Sequence, residues 1–236
     1  KSLDRICEAI ESSGKYEHYD PLSREMPVGG RVETAAPYSA YLKVAEGCSN
    51  HCTYCVIPSV RGEFMPRDEQ NVLEEAAVLV KNGAKELNLI AQDTTKHPQL
   101  CSMIRKLAKT DVTWIRILYC RPEEITDELL DLMATEPKLV RYIDVPLQHA
   151  SGKILKKMNR SGDDRSLAAL MQKIRDRVPG VSLRTTFITG FPGEDEEDFA
   201  TLSAFVRAVR FENMGVFTYS REEGTPAARM RGQIPE

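Results

Sequence analysis

Six short apolar or alternating segments recur along this chain, and each gap between them holds a segment of helical periodicity. The strand-like segments are AYLKVAE (40–46), KELNLIA (85–91), VTWIRILY (112–119), VRYIDVPL (140–147), VSLRTTFI (181–188) and MGVFTYS (214–220). Helical spacing is expected over 68–81, 98–109, 126–134, 151–158, 165–177 and 194–210. The first of these carries Val72, Ala76, Leu79 and Val80 on one stripe and ends at Asn82-Gly83. The last carries Phe199, Leu202, Val206 and Val209. Strands separated by helices must pair in parallel, because a hairpin turn cannot return the chain in the same direction. Two architectures meet the pattern: an open doubly wound sheet, and a barrel or partial barrel. In both, the site is built by the loops that follow the strands.

Those loops hold the unusual residues. The segment EGCSNHCTYC follows the first strand, QDTT the second, YCRP the third, PLQHAS the fourth and TGFPGE the fifth. One rim of the sheet therefore gathers the polar chemistry. Upstream, residues 1–14 read as a short helix, and 15–37 as an aperiodic Pro/Gly-rich linker.

Composition narrows the function classes. The chain of 236 residues is 42% hydrophobic and 28% charged, with a formal net charge of -3. That is a globular composition with enough chain for one substantial core. It lacks the basic balance of a general nucleic-acid binder. The mildly basic runs Lys153–Arg165 and Arg221–Arg231 read as solvated faces. No apolar run approaches the ~18 residues of a membrane span. No secretory signal is legible.

Six cysteines are too unevenly spread for a disulfide framework. Cys7, Cys101 and Cys120 read as small apolar residues. Cys48, Cys52 and Cys55, at C-x-x-x-C-x-x-C spacing, point to metal or redox chemistry in a reducing compartment, hence the cytoplasm. A structural zinc ion wants four protein ligands, with His51 or His149 as the fourth here. An iron–sulfur cubane held by three cysteines leaves one iron open for substrate or cofactor. Incidental cysteines are the third reading.

The segment CSNHCTYC, after the first strand of a β/α repeat, resembles the cluster loop of the radical S-adenosylmethionine superfamily. The resemblance implies a partial (β/α)6 TIM-like barrel, one 4Fe-4S cluster on Cys48, Cys52 and Cys55, and S-adenosylmethionine on the open iron. It implies reductive cleavage of that cofactor to a 5'-deoxyadenosyl radical. It sets Tyr54 near the adenine and Ile188 against it. Arg184, on a strand rim, is suited to fork onto the cofactor carboxylate, or else to form an ordinary salt bridge. Gly190 lets backbone approach a ligand. Gln92, Asp93 and Gln148 are rim residues suited to bonding the ribose or amino group. Phe217 is read as stacking on adenine or as core. His149 is assigned no catalytic role.

A longer set of segments, YLKVAEGCSNHCTYCVIPSVRGE, AQDTT, DVPLQHAS, LRTTFITGFPGE and GVFTYSREEGTPAA, resembles the methylthiotransferases within that superfamily. QDTT and YSREEGTPAA look like the branch, of the RimO type, that modifies the β-carbon of an aspartate on a small-subunit ribosomal protein, S-twelve. The alternatives are the branch that modifies a tRNA adenosine and, outside enzymes, a zinc-stabilised α/β binding module.

The resemblance implies an electron donor that is flavodoxin-like or ferredoxin-like, and no membrane partner. It also implies a second, auxiliary cluster in an upstream domain and a TRAM domain downstream, neither carried by this chain. Residues 1–37 then read as the helix and linker ending that upstream domain, and 38–236 as the catalytic domain. Such a core is expected to bind and cleave S-adenosylmethionine without completing methylthiolation. The segment after QDTT is shorter than the family pattern, because KHPQLCSMIRKL follows at once.

Overall fold

A computed structural model of the chain describes residues 6–17 and 37–235. Six strands form one sheet: β1 Ser39–Lys43, β2 Glu86–Ile90, β3 Trp114–Ile117, β4 Leu139–Asp144, β5 Ser182–Thr189 and β6 Asn213–Thr218. Every neighbouring pair is parallel, and the spatial order follows the chain order. A doubly wound sheet reverses its strand order at a switch point. No reversal occurs here. The sheet is wound as a barrel is wound, but β1 and β6 stay at opposite edges and do not pair. The fold is thus an open, partial barrel of six parallel strands joined by five helical crossovers.

Six helices fill the crossovers: α1 Glu69–Lys81, α2 Leu100–Leu107, α3 Asp127–Thr135, α4 Gly152–Lys157, α5 Asp164–Arg177 and α6 Glu196–Val209. Their starts are written in capping residues. The Asp68 side chain accepts the Asn71 N–H, and the Thr126 hydroxyl accepts the Leu129 N–H. Asp163 with Ser166, and Asp195 with Asp198, form reciprocal capping boxes.

Alternation along β5 separates the two faces of the sheet. Leu183, Thr185 and Phe187 are fully buried. Phe187 meets Phe205 of α6 edge-on at 6.2 Å, so this face packs against helices. On the opposite face lie Arg184, Thr186 and Ile188, all half-buried. That face also carries charged side chains. Arg116 of β3 donates from Nε to Glu86 of β2 at 2.9 Å, and its guanidinium lies 4.8 Å from the centre of the Tyr142 ring.

Several boundaries differ from the sequence pattern. The first expected strand breaks after Lys43, and Ala45–Glu46 instead pairs antiparallel with Met65–Pro66. The third shortens to four residues. Its last expected residue, Tyr119, takes φ 59, and its N–H donates to the Asp144 carboxylate at 3.2 Å rather than to the ladder. The apolar stripe of α6 is Leu202, Phe205 and Val209, whereas Phe199 is about half exposed. The short helix Ile57–Arg61, just after the third cysteine, has no periodic signal in the sequence. The first expected helix is present as Ile6–Glu11. Most of the expected linker, residues 18–36, lies outside the described residues.

Candidate functional site

The loop from Gly47 to Cys55 is fastened from behind. Gly47 sits at φ 72, and a Cβ there would fall 2.1 Å from the Glu63 carbonyl oxygen, so only glycine fits. The Cys48 N–H donates to the Gly62 carbonyl at 3.0 Å. The Cys55 N–H closes a tight turn onto the Cys52 carbonyl at 3.0 Å. Thr53 is tied to the end of α4 twice, through its N–H to Met158 O at 3.1 Å and its hydroxyl to Lys157 O at 2.8 Å. Asn159 donates to the carbonyls of Asn50 and His51. From the far end of the chain, the Ala227 N–H donates to Thr53 O at 2.9 Å. These bonds spend the loop's backbone on the outside and leave the three thiols on the inside.

Inside is a cavity of about 600 Å³ at the carboxyl ends of the strands, a volume typical of small-molecule sites. Cys48, Cys52, Cys55 and Tyr54 form one wall. Gln92 and Asp93 enter from the loop after β2, and Gln148 from the loop after β4. Tyr119, Cys120 and Arg121 enter after β3, and Thr186 forms part of the wall from β5. Four of the five rim segments picked out by sequence therefore meet in one space.

The donor set tests what the space can hold. Among the described residues, no three His, Cys, Asp or Glu side chains converge as one ion would require. Three thiols spread over one wall suit a polynuclear centre, in which each thiolate binds its own metal atom. Burial pushes the Cys55 thiol up, the Ile57 N–H that donates to its sulfur pulls it down, and the neighbouring Cys52 and Cys48 raise it further. A cationic centre reverses that balance and deprotonates its ligands. Cys120 also borders the cavity, but it is fully buried, and desolvation and then Asp144 push its thiol up, so it stays protonated.

Two buried acceptors in the cavity wall have no partner among the described residues: Gln92 Oε1 and Gln148 Oε1. A buried unpaired acceptor costs about 1–3 kcal/mol, which a ligand's N–H or O–H would recover. Gln148 also holds φ 73, an uncommon conformation for a residue with a side chain. Its N–H donates to Thr186 O and its carbonyl accepts from the Ile188 N–H, both at 2.8 Å, so β5 holds it there.

The other expected site residues divide. Tyr54 borders the cavity and also packs against Ile154, Met158, Phe191 and Ala227. Desolvation, and then Cys52, push its hydroxyl far up, so it remains neutral. Asp93 is nearly fully buried and already engaged, accepting from Asn50 Nδ2 at 2.8 Å and from the Thr95 hydroxyl at 3.2 Å.

Arg184 stands outside the cavity lining, two residues below Thr186 on the same face, and bonds Asp144 at 2.7 Å. Ile188 packs in the same cluster as Tyr54. Gly190 has φ 75 and open space where a Cβ would point. Phe217 is opposite Ile188 on the edge strand and is 60% exposed.

His51 and His149 do not join the thiols in the wall. His149 is fully buried, with Nδ1 accepting the Ser151 N–H and Nε2 facing Glu194 at 3.5 Å.

Sequence reasoning assigned nothing to Arg121, Arg160 or Asn50, which the structure brings to the cavity. In the sequence YCRP shows only as a rim segment, and Arg160 falls within a run that reads as solvated.

Comparison with known proteins gives three findings. A family model described as the radical SAM superfamily matches residues 42–206. The ribosomal protein uS12 methylthiotransferase RimO of Clostridium tetani is 45% identical over 244 residues, covering 100% of this chain and 55% of that protein. The protein of that name from Geobacter sulfurreducens is 50% identical over 214 residues, covering 87% of this chain and 48% of the relative. The chain thus spans about half the length of the curated relatives it matches. Among solved structures, the radical S-adenosylmethionine methyltransferase TsrM of Kitasatospora setae superposes with a TM-score of 0.66 at 20% identity, over 79% of this chain and 38% of that one. Coproporphyrinogen III oxidase (HemN) of Escherichia coli gives 0.61 at 18% identity, over 86% of this chain and 50% of that one. At such identities the likeness concerns the fold.

Proposed function

Because the chain belongs to the radical S-adenosylmethionine superfamily, we propose that it is the catalytic core of a methylthiotransferase acting on an aspartate of ribosomal protein uS12. The observation that carries this reading is the joint one of three thiols and two unpartnered glutamine oxygens on the walls of one cavity. Relatives of that name, 45–50% identical, support the ribosomal-protein branch over the tRNA branch.

Cys48, Cys52 and Cys55 would hold a 4Fe-4S cluster and leave one iron without a protein ligand. When bound there, such a cluster supplies the electron that splits the sulfonium of S-adenosylmethionine. Gln92 and Gln148 would accept hydrogen bonds from the cofactor's amino or hydroxyl groups, since no donor among the described residues reaches their side-chain oxygens. Tyr54 fixes the third cysteine against the cluster of Ile154 and Met158 and closes one wall. Asp93 and Asn50 lock the cysteine loop to the loop after β2. Ile90, Ala91 and Pro146 line other parts of the cavity, where apolar surface excludes water from a reactive radical. Arg184 is kept as a contact of the cofactor carboxylate, and Ile188, Gly190 and Phe217 as contacts on the adenine side.

The rest of the reaction draws on the half of the relatives' length outside this span. An auxiliary cluster is expected there, and the electron comes from a flavodoxin-like or ferredoxin-like donor. A ribosomal protein substrate sets the reaction in the cytoplasm. Among the described residues no helix is long and apolar enough to cross a membrane.

Incubation of the anaerobically reconstituted chain with S-adenosylmethionine and a strong reductant tests the reading. It predicts 5'-deoxyadenosine and methionine in equal amounts, and no methylthiolated uS12 peptide from this span alone. A loaded chain that releases neither product overturns it.

A further inference from the structure

Arg121 enters the cavity from the loop after β3 and donates from Nη1 to Cys52 Sγ at 3.8 Å. The contact is held at several points. The Arg121 N–H donates to the Thr95 hydroxyl at 2.9 Å, which fixes the backbone. Arg121 Nε donates to Glu123 Oε2 at 2.9 Å, which fixes the plane of the guanidinium. The side chain is only 14% exposed. The left-handed backbone of Tyr119 turns the chain just before it. Glu123 stays ionised, because the Arg121 and Arg160 charges and hydrogen bonds outweigh its desolvation. A fixed, largely buried cation thus bonds the middle sulfur of the triplet.

We propose that Arg121 sets the reduction potential of the cluster by stabilising its reduced form through Cys52. The inference rests on the reading that the three cysteines hold a 4Fe-4S cluster. One-electron reduction adds negative charge, which spreads onto the ligand sulfurs. A positive charge and an N–H···S bond at one of those sulfurs favour the reduced state more than the oxidised one. Arg121 is therefore a tuning residue: it transfers no proton and need not touch the substrate. Glu123 limits the effect by offsetting part of the charge while holding the fork in place.

The test is a potentiometric titration of the reconstituted cluster, followed by electron paramagnetic resonance without S-adenosylmethionine. The parent chain, Arg121→Gln and Arg121→Lys are compared after iron is counted in each. Arg121→Gln is expected to load iron and to show a lower midpoint. The expected size is roughly a tenfold loss in the reduced-to-oxidised ratio at fixed potential, about 59 mV for a one-electron couple. Arg121→Lys keeps the charge, loses the fork, and falls between the two. A loaded Arg121→Gln with the parent midpoint overturns the inference. Should Arg121→Gln take up no iron, Arg121→Lys decides, and a midpoint equal to the parent's overturns it. A parent chain that takes up no iron brings down the cluster reading itself and this inference with it.

Discussion

Asn50 Nδ2 donates to Asp93 Oδ2 at 2.8 Å, across 43 residues of chain. This bond joins the cysteine loop to the loop after β2, on a carboxylate that is only 2% exposed. Asp93→Ala leaves the Asn50 amide and the Thr95 hydroxyl without their acceptor. A loss of about 1–3 kcal/mol in urea unfolding of the metal-free chain is expected, together with slower iron uptake. Unchanged stability and uptake would show that the bond does not hold the loop.

Gly47 makes a sharper case. A Cβ at this position meets the Glu63 carbonyl carbon and oxygen, and φ is 72. Gly47→Ala has to push the Gly62–Glu63 backbone away or move Cys48. The expected result is a chain that folds but retains little iron, measured by absorbance and metal analysis after desalting. Normal iron retention would contradict the fixed-loop account.

Gln148 combines an unpartnered side-chain oxygen with a left-handed backbone. Gln148→Gly relieves the conformation and deletes the acceptor, so stability should hold or rise while cofactor affinity falls. A roughly tenfold weaker binding of S-adenosylmethionine to the iron-loaded protein, read by calorimetry, matches about 1.4 kcal/mol for one lost hydrogen bond. Equal affinity would remove Gln148 from the site.

Acid should weaken the start of α6. The Lys153 ammonium, with the N–H of Asp198, holds the Asp195 carboxyl down at about 2. A depressed folded-state value means the stabilisation is present above the unfolded value of about 3.9 and is lost as pH falls toward 2. Urea midpoints between pH 5 and pH 2 should therefore fall more steeply for the parent than for Asp195→Asn. Parallel curves would show that the group contributes nothing.

What the sequence disclosed, and what it withheld, follows physical lines. Strand and helix alternation is a local, periodic signal, so all six strands and the helices between them were legible. The thiol triplet is also local. The end of the third strand was less so, because Tyr119 leaves the ladder in a left-handed conformation that its side chain does not advertise. The α6 stripe slipped between Phe199 and Phe205 because both fit a helical period, and the rings of Phe187 and Phe211, placed by the fold, select the second. Arg121 was passed over because its meaning is a contact with Cys52, 69 residues away. Arg184, Ile188, Gly190 and Phe217 read as site residues from the sequence, and none of the four lines the space that gathers the thiols, which Thr186 of β5 does.

The central claim is that Cys48, Cys52 and Cys55 hold one iron–sulfur centre. It is tested most directly by counting iron and zinc after anaerobic reconstitution of the chain and of Cys52→Ala. The account predicts about four irons per chain, no zinc, and loss of the iron in the variant. One zinc and no iron would contradict it and leave a structural metal in an α/β scaffold.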